Sequence, residues 1–165
     1  MSKRIMLPVF AVFFLVTLSV SVSQTKTAAD LKISVKAPSG WKLMAQASVP
    51  TYSKDTNTFI VTKDSVPSTV KSPAEYVAFV KKLYQQSFKN VVFKDTKAVV
   101  ANGHNAQLVE YTGEISGMKM RYQVVIIING SRAFTLTSGG LDDGFDDAKA
   151  DFKTFIDSVK IEPGA

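Results

Sequence analysis

The chain has 165 residues, a formal net charge of +6 and no cysteine. That length suits one ordinary domain with a single hydrophobic core. The missing cysteines exclude disulfides, thiolate catalysis, thiolate metal sites and a lipid-modified cysteine anchor. The N-terminus is the most informative stretch. Lys3 and Arg4 precede an apolar run, Ile5 to Val20, and Ser21-Val22-Ser23 then offers a small-residue cleavage site before Gln24. This is the grammar of a secretory signal peptide, so residues 1–23 are expected to direct export out of the cytoplasm, to a secreted or periplasmic destination. Thr27-Ala28-Ala29 is a second available exit, and an uncleaved anchor is the alternative. Residues 24–30 read as a polar leader and 31–165 as the folded domain. Charge is uneven: residues 24–97 carry 12 basic and 5 acidic side chains, and residues 98–165 carry 6 and 9. A basic first half allows association with an anionic membrane surface or an acidic partner, and the preferred reading is scattered lysines that keep a secreted domain soluble. No dense Lys/Arg run with interleaved aromatics points to nucleic acid.

Leu31 to Val35 alternates like a short strand, and Ala37-Pro38-Ser39-Gly40 is turn chemistry before Trp41. Asn57 to Thr62 is a strand, and Val66 to Val70 a loop. Ser72-Pro73-Ala74-Glu75 then sets Ser at an N-cap, Pro at the first helical position and Glu three residues on. Tyr76, Val77, Val80, Leu83, Tyr84 and Phe88 follow at helical spacing, so a helix is expected to reach about Phe88 and lie on a sheet. Val91 to Val100 reads as a strand with a polar interruption.

Turns at Asn102-Gly103 and Ser116-Gly117 flank a strand over Ala106 to Gly113. Met118 to Ile128 is the clearest strand. Met118, Met120, Tyr122, Val124, Ile126 and Ile128 share one face, and Lys119, Arg121 and Gln123 the other, until Val125 and Ile127 make the far half apolar on both sides. One face is therefore expected to be buried throughout and the other over part of its length. Asn129-Gly130 signals a hairpin into Ser131–Ser138, with Phe134 and Leu136 on one side. Gly139-Gly140 reads as the end of the sheet. A closing helix is expected over Asp143–Val159, with Phe145, Ala148, Phe152, Phe155, Ile156 and Val159 as its apolar stripe. Asp142, Asp143, Asp146 and Asp147 sit at its N-terminal end and Lys153 and Lys160 towards the other, as the helix dipole favours. The order predicts an α+β fold: an antiparallel β-sheet flanked by helices in an α/β/α sandwich.

This pattern resembles the PsbP-like superfamily, which includes the PsbP subunits of photosystem II, a Ran-binding import factor of yeast and bacterial envelope proteins of the DcrB type. The resemblance rests on Ile33 to Trp41 (strand, Pro turn and Trp), Gly103-His-Asn-Ala106 through Tyr111, Phe134-Thr-Leu-Thr137 and Phe152 to Ser158. It spans about Leu31 to Ile161 and implies an α/β/α sandwich and a mostly non-enzymatic role in binding a protein partner. No motif matches photosystem residues that engage a metal or a partner.

Candidate chemistry is sparse. His104, the one histidine, follows a turn and is expected to be exposed. A Ser–His–Asp triad would need it, and neither Ser131 nor Ser138 lies in a nucleophile elbow. The Asp142–Asp147 cluster lacks the spacing of a calcium loop. Glu110 and Glu114 have no settled facing that would make them an acid–base pair. Met118 and Met120 read as core rather than thioether ligands. Gly139-Gly140 alone is not a phosphate loop. The sequence thus calls for no cofactor, no metal and no catalytic residue. It points to a non-enzymatic accessory protein with an envelope protein partner, through Lys119, Arg121 and Gln123 on the sheet face and Lys81 and Lys82 on the first helix. The competing reading is a carrier of a small apolar ligand or lipid, using Tyr76, Tyr122 and Phe134.

Overall fold

The computed structural model describes residues 31–94 and 96–163, so the expected signal peptide and leader lie outside the described residues. Its strands are β1 (Leu31–Ser34), β2 (Lys42–Leu43), β3 (Thr51–Lys54), β4 (Asn57–Ser65), β5 (Lys89–Phe93), β6 (Lys97–Ala101), β7 (His104–Ile115), β8 (Met118–Asn129), β9 (Arg132–Leu141) and β10 (Lys160–Pro163). The helices are α1 (Pro73–Ser87) and α2 (Lys149–Asp157), the latter led in by a 3-10 turn over Asp146–Ala148. The main sheet runs β2-β3-β4-β9-β8-β7-β5, with β6 also on β7, and β1 pairs with β10 in a separate ribbon. Every pairing is antiparallel.

Strand alternation splits the core in two. On one face Val109, Tyr111, Tyr122, Val124, Ile126 and Ala133 meet Tyr76, Val77 and Val80 of α1. On the other Phe59, Val61, Val125, Ile127, Phe134 and Leu136 meet Phe145, Phe152 and Phe155 around α2. The result is the expected α+β architecture, helix–sheet–helix. Ala106 and Tyr111 fall on opposite faces, as an unbulged strand requires. The α1 start is as the sequence reads: the Ser72 hydroxyl accepts from Glu75 N–H at 3.2 Å, and Glu75 reaches back to accept from Lys71 N–H at 2.7 Å.

Four expectations are corrected. Gly139 and Gly140 do not end the sheet; β9 runs through both to Leu141. They are strand glycines because other side chains occupy their space. A Cβ on Gly139 would lie 2.7 Å from the Tyr122 ring, and one on Gly140 2.1 Å from Asn57 Oδ1. The closing helix starts later than Asp143, because Asp142 is the last rung beside Lys119, donating its N–H to the Lys119 carbonyl at 3.1 Å. It also ends before Val159, and Lys160 belongs to β10. The tight loop of the last hairpin is Gly130-Ser131 rather than Asn129-Gly130: Asn129 pairs with Arg132, and only Gly130 has positive φ, at 59°. A glycine leading the loop is the II′ arrangement. His104 is half-buried at the head of β7 rather than exposed.

The short strands β2, β3 and β10 carry no periodic signal long enough to read. Trp41 ties this irregular region down. It lies edge-on to Phe155 at 5.1 Å, and its indole N–H donates to Asp151 at 2.8 Å, while Lys54 pairs with the same carboxylate at 2.8 Å. Lys54 first, then the indole, holds the Asp151 carboxyl below its ordinary range.

Candidate functional site

The α2-side face of the sheet is only half covered. Its apolar half lies under α2, and its polar half is a corner built from β5, β7, β8 and the end of β9. Register lays this corner out in rows. Lys89 faces Glu114, which faces Lys119, beside Asp142. Val92 faces Thr112, which faces Arg121, which faces Gly140. Glu110 faces Gln123, which faces Ser138. The chain thus sets Lys119, Arg121 and Gln123 on one face by period-two spacing, and pairing brings Glu110 and Glu114 beside them.

The charges are cross-braced. Asp142 receives Lys119 Nζ at 2.7 Å and the Arg121 guanidinium at 2.7 Å. A second Arg121 nitrogen reaches Asp146 at 2.9 Å, which also receives Lys149 at 2.7 Å. The guanidinium lies over the Phe145 ring, 5.6 Å from its centre. Gln123 donates to Glu110 at 3.2 Å, and Asn90 to Glu114 at 2.8 Å. Lys119, then Arg121, lowers the Asp142 carboxyl, and Asp142 in turn raises the Arg121 guanidinium. Lys149 leads the lowering of Asp146. The acidic cluster is therefore not simply helix-dipole decoration: Asp142 and Asp146 are the counter-charges of Lys119 and Arg121. Lys119 stays 64% exposed, whereas Arg121 is 23% exposed and immobilised.

Lys81 and Lys82 stand on the opposite side of the sheet, on α1. Lys81 Nζ sits 5.4 Å from the centre of the Phe93 ring, and Lys82 is exposed. The two sets of basic residues are thus two separate surfaces. The sequence left the facing of Glu110 and Glu114 open because it depends on the β7–β8 register across the Ser116-Gly117 turn.

The carrier residues do not share a cavity. Tyr76 and Tyr122 belong to the α1-side core and Phe134 to the α2-side core, each 3% exposed or less. Tyr84, Tyr111 and Tyr122 stack with ring centres 4.9 and 4.7 Å apart. Burial pushes all three phenols up and brings Tyr76 to about 12, so they stay neutral and act as packing. Among the described residues no three histidine, aspartate or glutamate side chains gather to hold a metal ion, and no helix is long and apolar enough to cross a membrane.

No family model matches the sequence, and no curated protein matches it in sequence search. Solved structures do match. LpqN of Mycobacterium tuberculosis, described as involved in cell envelope biogenesis, superposes with a TM-score of 0.63 at 16% identity, over 83% of this chain and 87% of that one. PA94 of Pseudomonas aeruginosa, a protein of unknown function and putative regulator, gives 0.57 at 15% identity, over 87% and 90%. The cyanobacterial PsbP of Synechocystis gives 0.54 at 14% identity, over 87% and 99%. With a sheet covered by one helix on each face and these neighbours, the chain has the PsbP-like fold.

Proposed function

We propose that the protein is exported and works as a non-enzymatic accessory protein, holding an envelope protein partner against the polar corner of β5, β7 and β8. The observation that carries this reading is the pre-ordered charge pattern there. Lys89, Glu114 and Lys119 alternate along one row, and Arg121 is fixed by two carboxylates. A partner meeting such a surface encounters ordered side chains, so little rotamer freedom is lost on binding. Alternating charge favours one docking register over others. The shared fold of LpqN, described as involved in cell envelope biogenesis, supports an exported location. The apolar run before Gln24 supports export.

The test is in-cell crosslinking of the tagged full chain, with capture from the envelope fraction. Thr112→Arg combined with Lys119→Glu changes the corner without touching the core, and Lys82→Glu serves as control. A saturable partner captured by wild type and by the control, and lost from the double variant, supports the reading. Equal capture by the double variant, with its melting temperature unchanged, sinks it. The amino-terminal residue of the captured protein reports whether residues 1–23 have been removed.

A further inference from the structure

The polar corner carries its charge in stripes, one from each of four stretches of chain. Residues 89–94 hold Lys89 and Lys94 and no acid. Residues 110–114 hold Glu110 and Glu114 and no base. Residues 119–123 hold Lys119 and Arg121 and no acid. Residues 142–149 hold Asp142, Asp143, Asp146 and Asp147 against Lys149 alone. Pairing lays these stretches side by side: β5 on β7, β7 on β8, and Asp142 as the rung beside Lys119. Lys94 belongs to the first stripe. Its N–H donates to the Glu110 carbonyl at 2.8 Å, and Phe93, between it and Val92, packs in the α1-side core. Across the strands the sign therefore runs plus, minus, plus, minus.

That order is its own complement. A two-fold axis standing on the sheet between β7 and β8 reverses it, so a second copy turned face to face presents minus, plus, minus, plus. The Lys89–Lys94 stripe of each copy then meets the Asp142–Asp147 stripe of the other, and Glu110 and Glu114 meet Lys119 and Arg121. The outer stripes hold charge that the fold does not use. Lys89, Lys94, Asp143 and Asp147 are exposed, and their side chains make no ion pair or hydrogen bond among the described residues. The inner stripes are braced within the chain, where Asp142 receives both Lys119 and Arg121. The outer stripes thus supply attraction between copies, and the inner ones fix the register, because a shift by one stripe sets like charge against like. Val92, 63% exposed between the two lysines, goes under cover in the same contact.

We infer that the partner held at the corner is a second copy of this chain, docked about a two-fold axis between β7 and β8. This rests on the corner being a partner surface, as proposed above. Four stripes at a strand spacing of about 4.8 Å span only about 14 Å. The contact therefore belongs to the small class, roughly 1,200 Å² or less, and forms where the protein is concentrated. Exposed charges make it salt-sensitive.

The test uses two differently tagged full chains expressed together, crosslinked in the cell and captured from the envelope fraction through one tag while the other is measured. Lys89→Glu with Lys94→Glu turns the first stripe negative. Asp143→Lys with Asp147→Lys turns the last stripe positive. Either variant paired with itself opposes like charges at both ends, and co-capture is expected to fall at least about ten-fold. The two variants expressed together match at both ends, and co-capture is expected to recover. Sedimentation of the purified wild-type chain should show association that weakens several-fold in high salt. Co-capture that survives in either variant paired with itself overturns the inference. So does a mixture that fails to recover while each variant keeps the wild-type melting temperature. If a double variant melts lower, Lys89→Glu and Asp147→Lys alone replace it. A chain that never captures its copy, yet captures another envelope protein in a way that Thr112→Arg with Lys119→Glu abolishes, overturns this inference and leaves the corner reading standing. Capture of the copy that is indifferent to Thr112→Arg with Lys119→Glu removes the corner from both.

Discussion

Gly140 has no room for a side chain, and this explains more than the length of β9. The Asn57 side chain lies across it, so the start of β4 and the end of β9 lock together where the polar corner begins. Gly140→Ala is expected to cost about 1–3 kcal/mol by overpacking, measured by urea unfolding. Asn57→Ala in the same molecule should recover part of that loss, and strict additivity of the two would refute the contact as the cause. Asp142 supplies the pH dependence of the corner. Its carboxyl is lowered in the folded chain by Lys119 and Arg121, so its stabilisation is fully present above its ordinary value near 3.8 and is lost as pH falls through the lower folded value. Asp142→Asn should therefore reduce the loss of stability as pH falls below that ordinary value, and an unchanged acid slope would remove the pair from the account. The alternation of Lys119, Arg121 and Gln123 was legible in the sequence because period two is a local signal. The answering positions of Asp142, Glu110 and Glu114 were not, because cross-strand register is a non-local fact.

At the scale of elements, the long, well-punctuated segments were the readable ones. Ser72, Pro73 and Glu75 mark α1 by chemistry that acts within one turn, and Ser72→Ala should destabilise the fold by about 1 kcal/mol, with Ser72→Asp restoring it, by thermal or urea unfolding. If the alanine variant is neutral, the cap does not hold the helix start. The closing helix misled because its apolar stripe continues through residues that are not helical. Phe145 and Val159 are only 1% and 0% exposed, but they pack from the turn before α2 and from the link into β10. Periodicity reports which side chains go inside; it reports backbone shape only when hydrogen bonding agrees. Strands β2 and β3 escaped notice because they are short, and their place is set by Trp41, Lys54 and Asp151 meeting across a long stretch of chain. The edge opposite β2 is instead made from β5 and β6, end to end along β7, with a register shift between Lys89 and Val92 and exposed Lys89, Lys94 and Lys97. Irregularity and lysine on an edge discourage strand addition.

For the molecule as a whole, α1 and α2 cover two cores on opposite faces of one sheet, and the charged corner at β5, β7 and β8 lies outside both. The β1–β10 ribbon has a consequence for the order in which this chain can be assembled. Leu31 pairs with Pro163 and Ser34 with Lys160, so the first described strand finds its mate only in the last. A chain threaded through an export channel with its N-terminus leading would present β1 on the far side while β10 was still behind. The ribbon, and the burial of Leu31, Ile33 and Ile161 against the α2-side core, would then close only after the tail had passed. Late closure of this kind would keep such a threaded chain open until its tail had passed. The same adjacency of the two ends makes the domain a natural candidate for circular permutation, with new ends opened at the Ser116-Gly117 turn.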